Sequence, residues 1–252
     1  MAIARPALVA LASAAAVVAV GAVVVAATVG DDDDEAPSST DEAEVAYAPT
    51  IEPESFTDVV DNPFLPLRPG ARWEYEARVE DGLERVVVEV TGQTREVMGV
   101  TCVVVRDTVT LDGEVIEDTY DWFAQHDDGA VWYFGEDTTE YEDGQVSSTE
   151  GAWEAGVDGA QPGVVMPAEP TVGDSYRQEY YQGEAEDMAE VLSLTEAVTV
   201  PAGTYQNVLM TEDVNPLEPD VVEHKYYASG IGLVLTVQVE GGSDREELVR
   251  RS

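Results

Sequence analysis

Residues 73–90 read WEYEARVEDGLERVVVEV, and they contain the clearest structural pattern in the chain. From Trp73 to Val79, apolar and polar side chains alternate with a period of two, which is typical of a half-buried β-strand. Asp81-Gly82 is a hairpin turn signal, and the valine-rich run that follows it supplies a second strand. The sequence therefore predicts an antiparallel hairpin at this point.

The same succession of strand, turn and strand recurs along the rest of the chain. Further turn signals stand at Met98-Gly99, Asp112-Gly113, Asp143-Gly144, Gly183-Glu184, Pro201-Ala202-Gly203 and Ser229-Gly230. Residues 151–173 are richer in glycine and proline, and we interpret them as a long loop. The predicted fold class is all-β: a curved antiparallel meander sheet, forming a half-barrel or a sandwich, after an N-terminal apolar helix.

An uncharged apolar segment precedes the strands. Residues 6–30 consist mostly of Ala, Val and Leu, with Arg5 before them and Asp31 after them. Their length suits a membrane span, and the order of the flanking charges is that of an exported chain. We predict that residues 1–30 are a signal peptide or a membrane anchor. The protein is then extracytoplasmic, either secreted or held in a membrane through residues 6–30 if they are not cleaved.

The segment after it is strongly acidic. Residues 31–50 hold eight carboxylates and no basic residue. Such a composition cannot bury enough apolar surface to fold. We predict an acidic disordered tether over residues 31–55 and one extracytoplasmic β-domain over residues 56–252.

The charge of the whole chain excludes one class of partner. It has 52 acidic and 12 basic side chains, a net charge of −40, and Lys225 is its only lysine. Nucleic-acid binding depends on clustered Lys and Arg, so nucleic acid is excluded. An acidic surface suits a salty solvent, and we expect the carboxylates of the β-domain to lie on turns and exposed strand faces. Cys102 is the only cysteine, and its valine-rich surroundings predict a buried side chain. The sequence does not indicate an oligomeric state.

Two hairpins carry a resemblance. The first is Val198-Thr199-Val200-Pro201-Ala202-Gly203-Thr204-Tyr205, and the second, residues 225–234, reads KYYASGIGLV. Together they resemble a group of exported bacterial β-rich proteins and lipoproteins of unassigned function. The resemblance spans roughly residues 57–250 and implies a curved antiparallel sheet without an established activity. Many members of the group carry a lipid-anchoring cysteine, which this chain lacks.

The chain lacks the common signatures of enzymes. It has no Gly-x-Ser-x-Gly, no His-Glu-x-x-His, no phosphate loop and no dinucleotide fingerprint. We therefore predict that it is not an enzyme, with an uncharacterised hydrolase as an alternative.

One group of carboxylates is a candidate metal site. Glu184, Glu186, Asp187 and Glu190 are closely spaced beside a predicted turn. Hard cations such as Ca²⁺ bind several carboxylate oxygens, and a cation would offset the repulsion among them. The sequence thus predicts a divalent cation at this segment, with Ca²⁺ the only cofactor indicated.

Aromatic residues suggest an alternative function. Trp122, Trp132 and Tyr120 could line a curved sheet and bind a carbohydrate or a lipid, since aromatic faces suit both ligands. Against this interpretation, Trp132 and Phe134 share one strand face, which favours packing in the core.

Overall fold

The computed structural model of the protein describes residues 47–252. The predicted apolar helix of residues 6–30 and most of the predicted tether lie outside the described residues. The described part is built of sixteen β-strands and one turn of 3-10 helix, Pro53–Ser55, and contains no α-helix. Nothing helical in residues 47–252 has the length and apolar character that a membrane crossing requires.

The strands follow one another with short connections. They are β1 (Phe56–Thr57), β2 (Arg72–Val79), β3 (Gly82–Val97), β4 (Val100–Leu111), β5 (Glu114–His126), β6 (Val131–Glu142), β7 (Gln145–Ser148), β8 (Trp153–Glu154), β9 (Gln161–Met166), β10 (Ser175–Arg177), β11 (Glu179–Tyr180), β12 (Met188–Val200), β13 (Gly203–Val214), β14 (Val222–Ala228), β15 (Gly232–Glu240) and β16 (Arg245–Arg251).

All these strands belong to one antiparallel sheet, whose main path runs β10-β12-β13-β14-β15-β16-β2-β3-β4-β5-β6-β9-β11. Most neighbours are consecutive in the chain, so the prediction of an all-β, curved antiparallel meander is confirmed. The last strand, β16, lies beside the first long strand, β2, with Leu248 opposite Tyr75. The two ends of the β-domain therefore meet in the middle of the sheet.

One short segment brings the two ends of the sheet together. β10 and β11 are separated only by Gln178. β10 pairs with β12, with Tyr176 opposite Ala189, whereas β11 pairs with β9, with Glu179 opposite Pro162. Because the same segment contacts both ends, the sheet curves into a nearly closed cylinder.

Strand β9 lies within the stretch that the composition predicts to be a long loop, and for Gln161–Met166 that prediction is wrong. Pro162 and Gly163 are residues that usually interrupt strands. Here the glycine is needed, because the backbone of Gln178 passes directly over it. A glycine inside a strand is a known sign of such a close approach.

Aromatic residues tie the apolar part of the interior across the sheet. The hydroxyl of Tyr75 donates to the carbonyl of Leu233 at 3.0 Å, and the indole N–H of Trp73 donates to the carbonyl of Ile231 at 2.8 Å. Each ring thus buries its apolar body while its polar atom finds a partner. Cys102 is fully buried, as predicted, and burial raises the pKa of its thiol to about 12.

The chain before β2 packs on the outside of the sheet. The ring of Phe56 lies 5.4 Å from that of Phe134 and 5.9 Å from that of Trp132, both edge-on. The hydroxyl of Tyr47 donates to the carbonyl of Pro162 at 3.0 Å. Residues 47–55, which the composition assigns to the tether, therefore include side chains that contact the sheet.

Candidate functional site: an acidic interior

The interior of the sheet holds charge that we expected on the surface. The carboxylates that are buried among the described residues are Glu84, Asp107, Glu117, Asp121, Glu136, Glu179, Asp187, Asp213 and Glu246. Lys225 is the one buried basic residue in the same part of the chain. The expectation that the carboxylates of the β-domain would lie on turns and exposed faces is wrong for these nine.

Strand register explains how the charges come together. Opposite residues of neighbouring strands face the same side of a sheet. One such row crosses six strands and consists of Thr211, Lys225, Thr236, Glu246, Ala77 and Glu84. Every member of this row is buried, and all of them except Ala77 are polar, so the row is a polar layer across the inside of the cylinder.

Strand β5 supplies a second polar series. Glu117, Thr119 and Asp121 alternate with outward residues, and Phe123 continues the same face. All four side chains are at most 4 % exposed. Because an apolar Phe123 shares the period-two register, the alternation in the sequence was a usable signal that the carboxylates face inward.

A group that we name the lysine cluster consists of Lys225, Asp213, Glu223, Glu179 and Asp187. The ammonium Nζ of Lys225 lies 3.2 Å from Asp213 Oδ2 and 3.8 Å from Glu223 Oε2. Burial alone would lower the pKa of Lys225, but these two carboxylates outweigh burial and raise that pKa. The lysine is therefore held in its charged form.

Asp213 has further partners within the interior. The side-chain amide of Gln178 donates to its Oδ2 at 3.1 Å, and the hydroxyl of Thr211 donates to its Oδ1. Asp213 is thus satisfied by a lysine, an amide and a hydroxyl, as a buried polar group must be.

Glu179 and Asp187 are less well satisfied. The indole N–H of Trp153 donates to Glu179 Oε2 at 3.0 Å. Glu179 Oε1 and Asp187 Oδ1 are buried without a hydrogen-bond partner. Burial raises the pKa of Glu179 to about 8, although Trp153 and Lys225 oppose the rise. Burial, and then repulsion from Glu179, raises the pKa of Asp187 well above its usual range.

A second group, which we name the tyrosine triad, consists of Tyr133, Asp121 and Glu136. The hydroxyl oxygen of Tyr133 lies 2.8 Å from Asp121 Oδ1 and 2.7 Å from Glu136 Oε2. The ring is held by Phe123, stacked at 4.9 Å, and by Trp153, edge-on at 5.3 Å. Trp153 therefore contacts Tyr133 of the triad with its ring and Glu179 of the lysine cluster with its N–H.

The four residues predicted to bind a cation fall in different environments. Asp187 is buried, Glu186 is half-buried, and Glu184 and Glu190 are exposed. Glu186 Oε1 accepts a hydrogen bond from the backbone of Gly183 at 2.8 Å. Across residues 47–252, no three histidine, cysteine, aspartate or glutamate side chains are already placed to hold a metal ion. A metal site formed by all four residues stays a prediction, and of these four only Asp187 faces the interior.

The three aromatic residues predicted to bind a ligand lie on the outer face of the sheet. Trp122 is buried, with the guanidinium of Arg95 3.8 Å from its ring centre. Trp132 and Tyr120 are half-buried, the first beneath Phe56 and the second 5.5 Å from the guanidinium of Arg106. A pocket lined by these rings also stays a prediction.

Sequence reasoning missed most of the interior group. Lys225 stands out in the sequence only as the single lysine, Asp121 only through its alternation with Phe123, and Glu179 and Asp213 do not stand out at all. The sequence did contain a signal for Lys225. It is the single lysine of a chain with 52 acidic residues, and it stands among strand-forming residues, so it is an obvious partner for a buried carboxylate.

Comparison with known proteins finds distant structural likeness alone. No family model and no curated protein matches the chain. A solved structure described as that of an exported protein with a YmcC-like fold, from Bacteroides fragilis, is 17 % identical. It aligns over 75 % of this chain and 98 % of its own, with a TM-score of 0.44. A second, described as a lipoprotein from Parabacteroides distasonis, is 13 % identical, with the same coverage and a TM-score of 0.41. These scores are too low to carry an argument about function.

Proposed function

We propose that the protein is an exported, non-enzymatic β-domain that binds a divalent cation, Ca²⁺ in the first instance, at the lysine cluster inside its sheet. One observation carries the proposal: Glu179 Oε1 and Asp187 Oδ1 are buried oxygen atoms without a hydrogen-bond partner. Proteins rarely leave buried polar atoms unsatisfied, and a bound ion can satisfy such atoms where no protein donor does. Carboxylate oxygens are the ligands that Ca²⁺ prefers.

The charge of the cluster also supports a cation. Four carboxylates face one ammonium group, and Lys225 is already engaged by Asp213 and Glu223. Among the described residues, the only positive charge that acts on Glu179 and Asp187 is the more distant Lys225. A divalent ion between them would supply a closer positive charge. Three ligand side chains are not gathered in advance in the described residues, so Glu179 and Asp187 would be the protein ligands and water would complete the coordination.

The remaining parts of the proposal rest on the sequence and on burial. Export is supported by the apolar segment of residues 6–30 and the acidic residues after it. A non-enzymatic role is supported by the burial of Asp121, Glu136 and Glu179, each at most 3 % exposed. An acid or a base that acts on a substrate must come within hydrogen-bond reach of it.

Thermal unfolding of the full-length chain in detergent and high salt tests the proposal. A ligand that binds only the folded state stabilises it by about 2.7 kcal/mol at a hundredfold excess over its dissociation constant. We expect Ca²⁺ to raise the melting temperature in a concentration-dependent way, and a chelator to reverse the rise. If the melting temperature does not respond to Ca²⁺, the proposed function is wrong.

A further inference from the structure

The tyrosine triad has more close contacts than its evident hydrogen atoms can satisfy. The hydroxyl oxygen of Tyr133 is within 2.8 Å of one oxygen of Asp121 and within 2.7 Å of one oxygen of Glu136. A phenol has a single hydrogen to donate, and an ionised carboxylate has none. If both carboxyl groups were ionised, one of the two contacts would join oxygen atoms with no hydrogen between them.

We propose that the tyrosine triad is a proton-binding site, in which one proton is held between Asp121 and Glu136 at neutral pH and its loss at alkaline pH weakens the fold. In the occupied state, one carboxyl group donates its proton to the Tyr133 oxygen, and Tyr133 donates its own hydrogen to the other carboxylate. Each of the three groups then has a partner. This proposal rests on the hydrogen-bond count within the triad and not on the proposed cation site.

The surroundings of the triad keep the proton in place. Asp121 and Glu136 face each other on β5 and β6. Glu117 on β5 and Glu179 on β11 lie near enough to disfavour a second ionised carboxylate beside them. Burial, opposed in part by the bond from Tyr133, raises the pKa of Asp121 to about 7. Burial, and then repulsion from Asp121 and Glu179, raises the pKa of Glu136 well above its usual range.

The proton that is lost at alkaline pH does not come from the Tyr133 phenol. Burial, and then the charges of Asp121 and Glu136, raises the pKa of Tyr133 well above its usual range. Tyr133 therefore keeps its hydrogen throughout the range in which the carboxyl proton is exchanged. The titrating site is the pair of carboxyl groups, and the phenol bridges them.

The direction of the pH effect follows from proton linkage. An acid whose pKa is higher in the folded state binds more protons when folded, so stability falls as pH rises between its unfolded and folded pKa values. For one proton, the unfolding equilibrium constant changes about tenfold per pH unit in that interval. The triad thus favours the folded state at mildly acidic pH.

The test compares urea unfolding of the full-length chain with that of the variant Asp121→Asn, which carries its hydrogens at every pH. From about pH 5 to about pH 7, the wild-type unfolding constant should rise at least tenfold more than that of the variant. Asp137→Asn, a change at the exposed neighbour of Glu136, serves as the control and should follow the wild type. Equal pH dependence in wild type and Asp121→Asn would overturn the proposal.

Infrared spectroscopy of the wild-type protein keeps the proposal testable if the variant does not fold. Exposed carboxyl groups are ionised at neutral pH, so a carbonyl band of a protonated carboxylic acid at that pH must come from the interior. We expect this band at about pH 7, and we expect it to weaken in alkaline solution while the protein is still folded. Absence of the band at neutral pH would show that the triad holds no proton.

Discussion

Gly163 and Gln178 approach each other so closely that a side chain at Gly163 has no room. A Cβ atom built at this glycine would lie 2.4 Å from both the carbonyl carbon and the carbonyl oxygen of Gln178, and 2.6 Å from the carbonyl oxygen of Arg177. These are backbone atoms, which cannot rotate away as the end of a side chain can. The contact joins β9 to the segment that closes the sheet, and the next residue of that segment is Glu179 of the lysine cluster.

Replacement of Gly163 by alanine should therefore open or distort the closure of the sheet. We expect Gly163→Ala to lower the free energy of unfolding by about 3 kcal/mol, as overpacking against fixed atoms does. Gly183→Ala is a suitable control, since its Cβ would meet no atom within 4 Å; it carries only the cost of a left-handed backbone, about 1 kcal/mol. Urea unfolding measures both, and equal losses would show that the contact does not limit closure.

Loss of the buried lysine should be much more costly than loss of a surface arginine. Lys225→Met leaves the buried Asp213 and the half-buried Glu223 without their cation, and breaking a buried ion pair in this way costs about 3–5 kcal/mol. Arg85→Met removes the exposed Arg85–Glu76 pair, 2.8 Å long, and should cost less than about 1 kcal/mol. The double variant Lys225→Met with Asp213→Asn should regain part of the loss. Similar effects of the two single variants on the urea midpoint would contradict the described burial of Lys225.

Glu117 belongs to neither the lysine cluster nor the tyrosine triad, and it should also make the stability of the fold depend on pH. Burial, opposed by the bond from Thr119 and assisted by repulsion from Glu140, raises its pKa to about 7. Since this pKa exceeds the unfolded value of about 4.3, Glu117 lowers stability as pH rises from about 4.3 to about 7. Glu117→Gln should leave stability nearly unchanged at about pH 4 and raise it by about 3 kcal/mol at about pH 8. A variant that is less stable than the wild type at the higher pH would show that Glu117 is not buried as described.

Tyr47 should stabilise the pairing of β9 with β11, because it contacts a residue of each strand. Its hydroxyl bonds the carbonyl of Pro162 at 3.0 Å, and its ring lies 5.6 Å from that of Tyr180, edge-on. Tyr47→Phe keeps the ring and removes a hydrogen bond, which typically contributes about 1 kcal/mol. We expect faster amide hydrogen exchange at residues 178–181 and no change in β2 or β3. Unchanged exchange at residues 178–181 would mean that the bond does not stabilise the closure.

The strands were predictable because their signals are local. Alternation from Trp73 to Val79 and turn pairs such as Asp112-Gly113 depend on a few adjacent residues, and they correctly indicated an antiparallel meander. Strand β9 was not predictable in this way. Gly163 reads as a loop residue in isolation, and its true role depends on Gln178, which is distant in the chain and near in space.

The acidic interior shows a similar limit. The alternation of Asp121 with Phe123 could have placed Asp121 on the inner face, but a chain with 52 acidic residues makes any one of them look like a surface group. Whether a carboxylate is paired can depend on segments that are far apart in sequence, as for Glu179 and Trp153. That pair follows from how the sheet closes, which no local pattern encodes.

The position of the cation within the lysine cluster can be tested by calcium titration of matched variants. Calorimetric titration of Ca²⁺ in high salt should compare the full-length wild type with two double variants of equal charge change. Glu179→Gln with Asp187→Asn converts to amides the two interior carboxyl groups that hold the unpartnered oxygens, whereas Glu184→Gln with Glu190→Gln converts two exposed carboxyl groups of the predicted surface segment. We predict that the interior double variant loses the binding heat and that the exposed double variant keeps it. Binding heat that survives in the interior double variant and disappears in the exposed one would contradict Ca²⁺ binding at the lysine cluster.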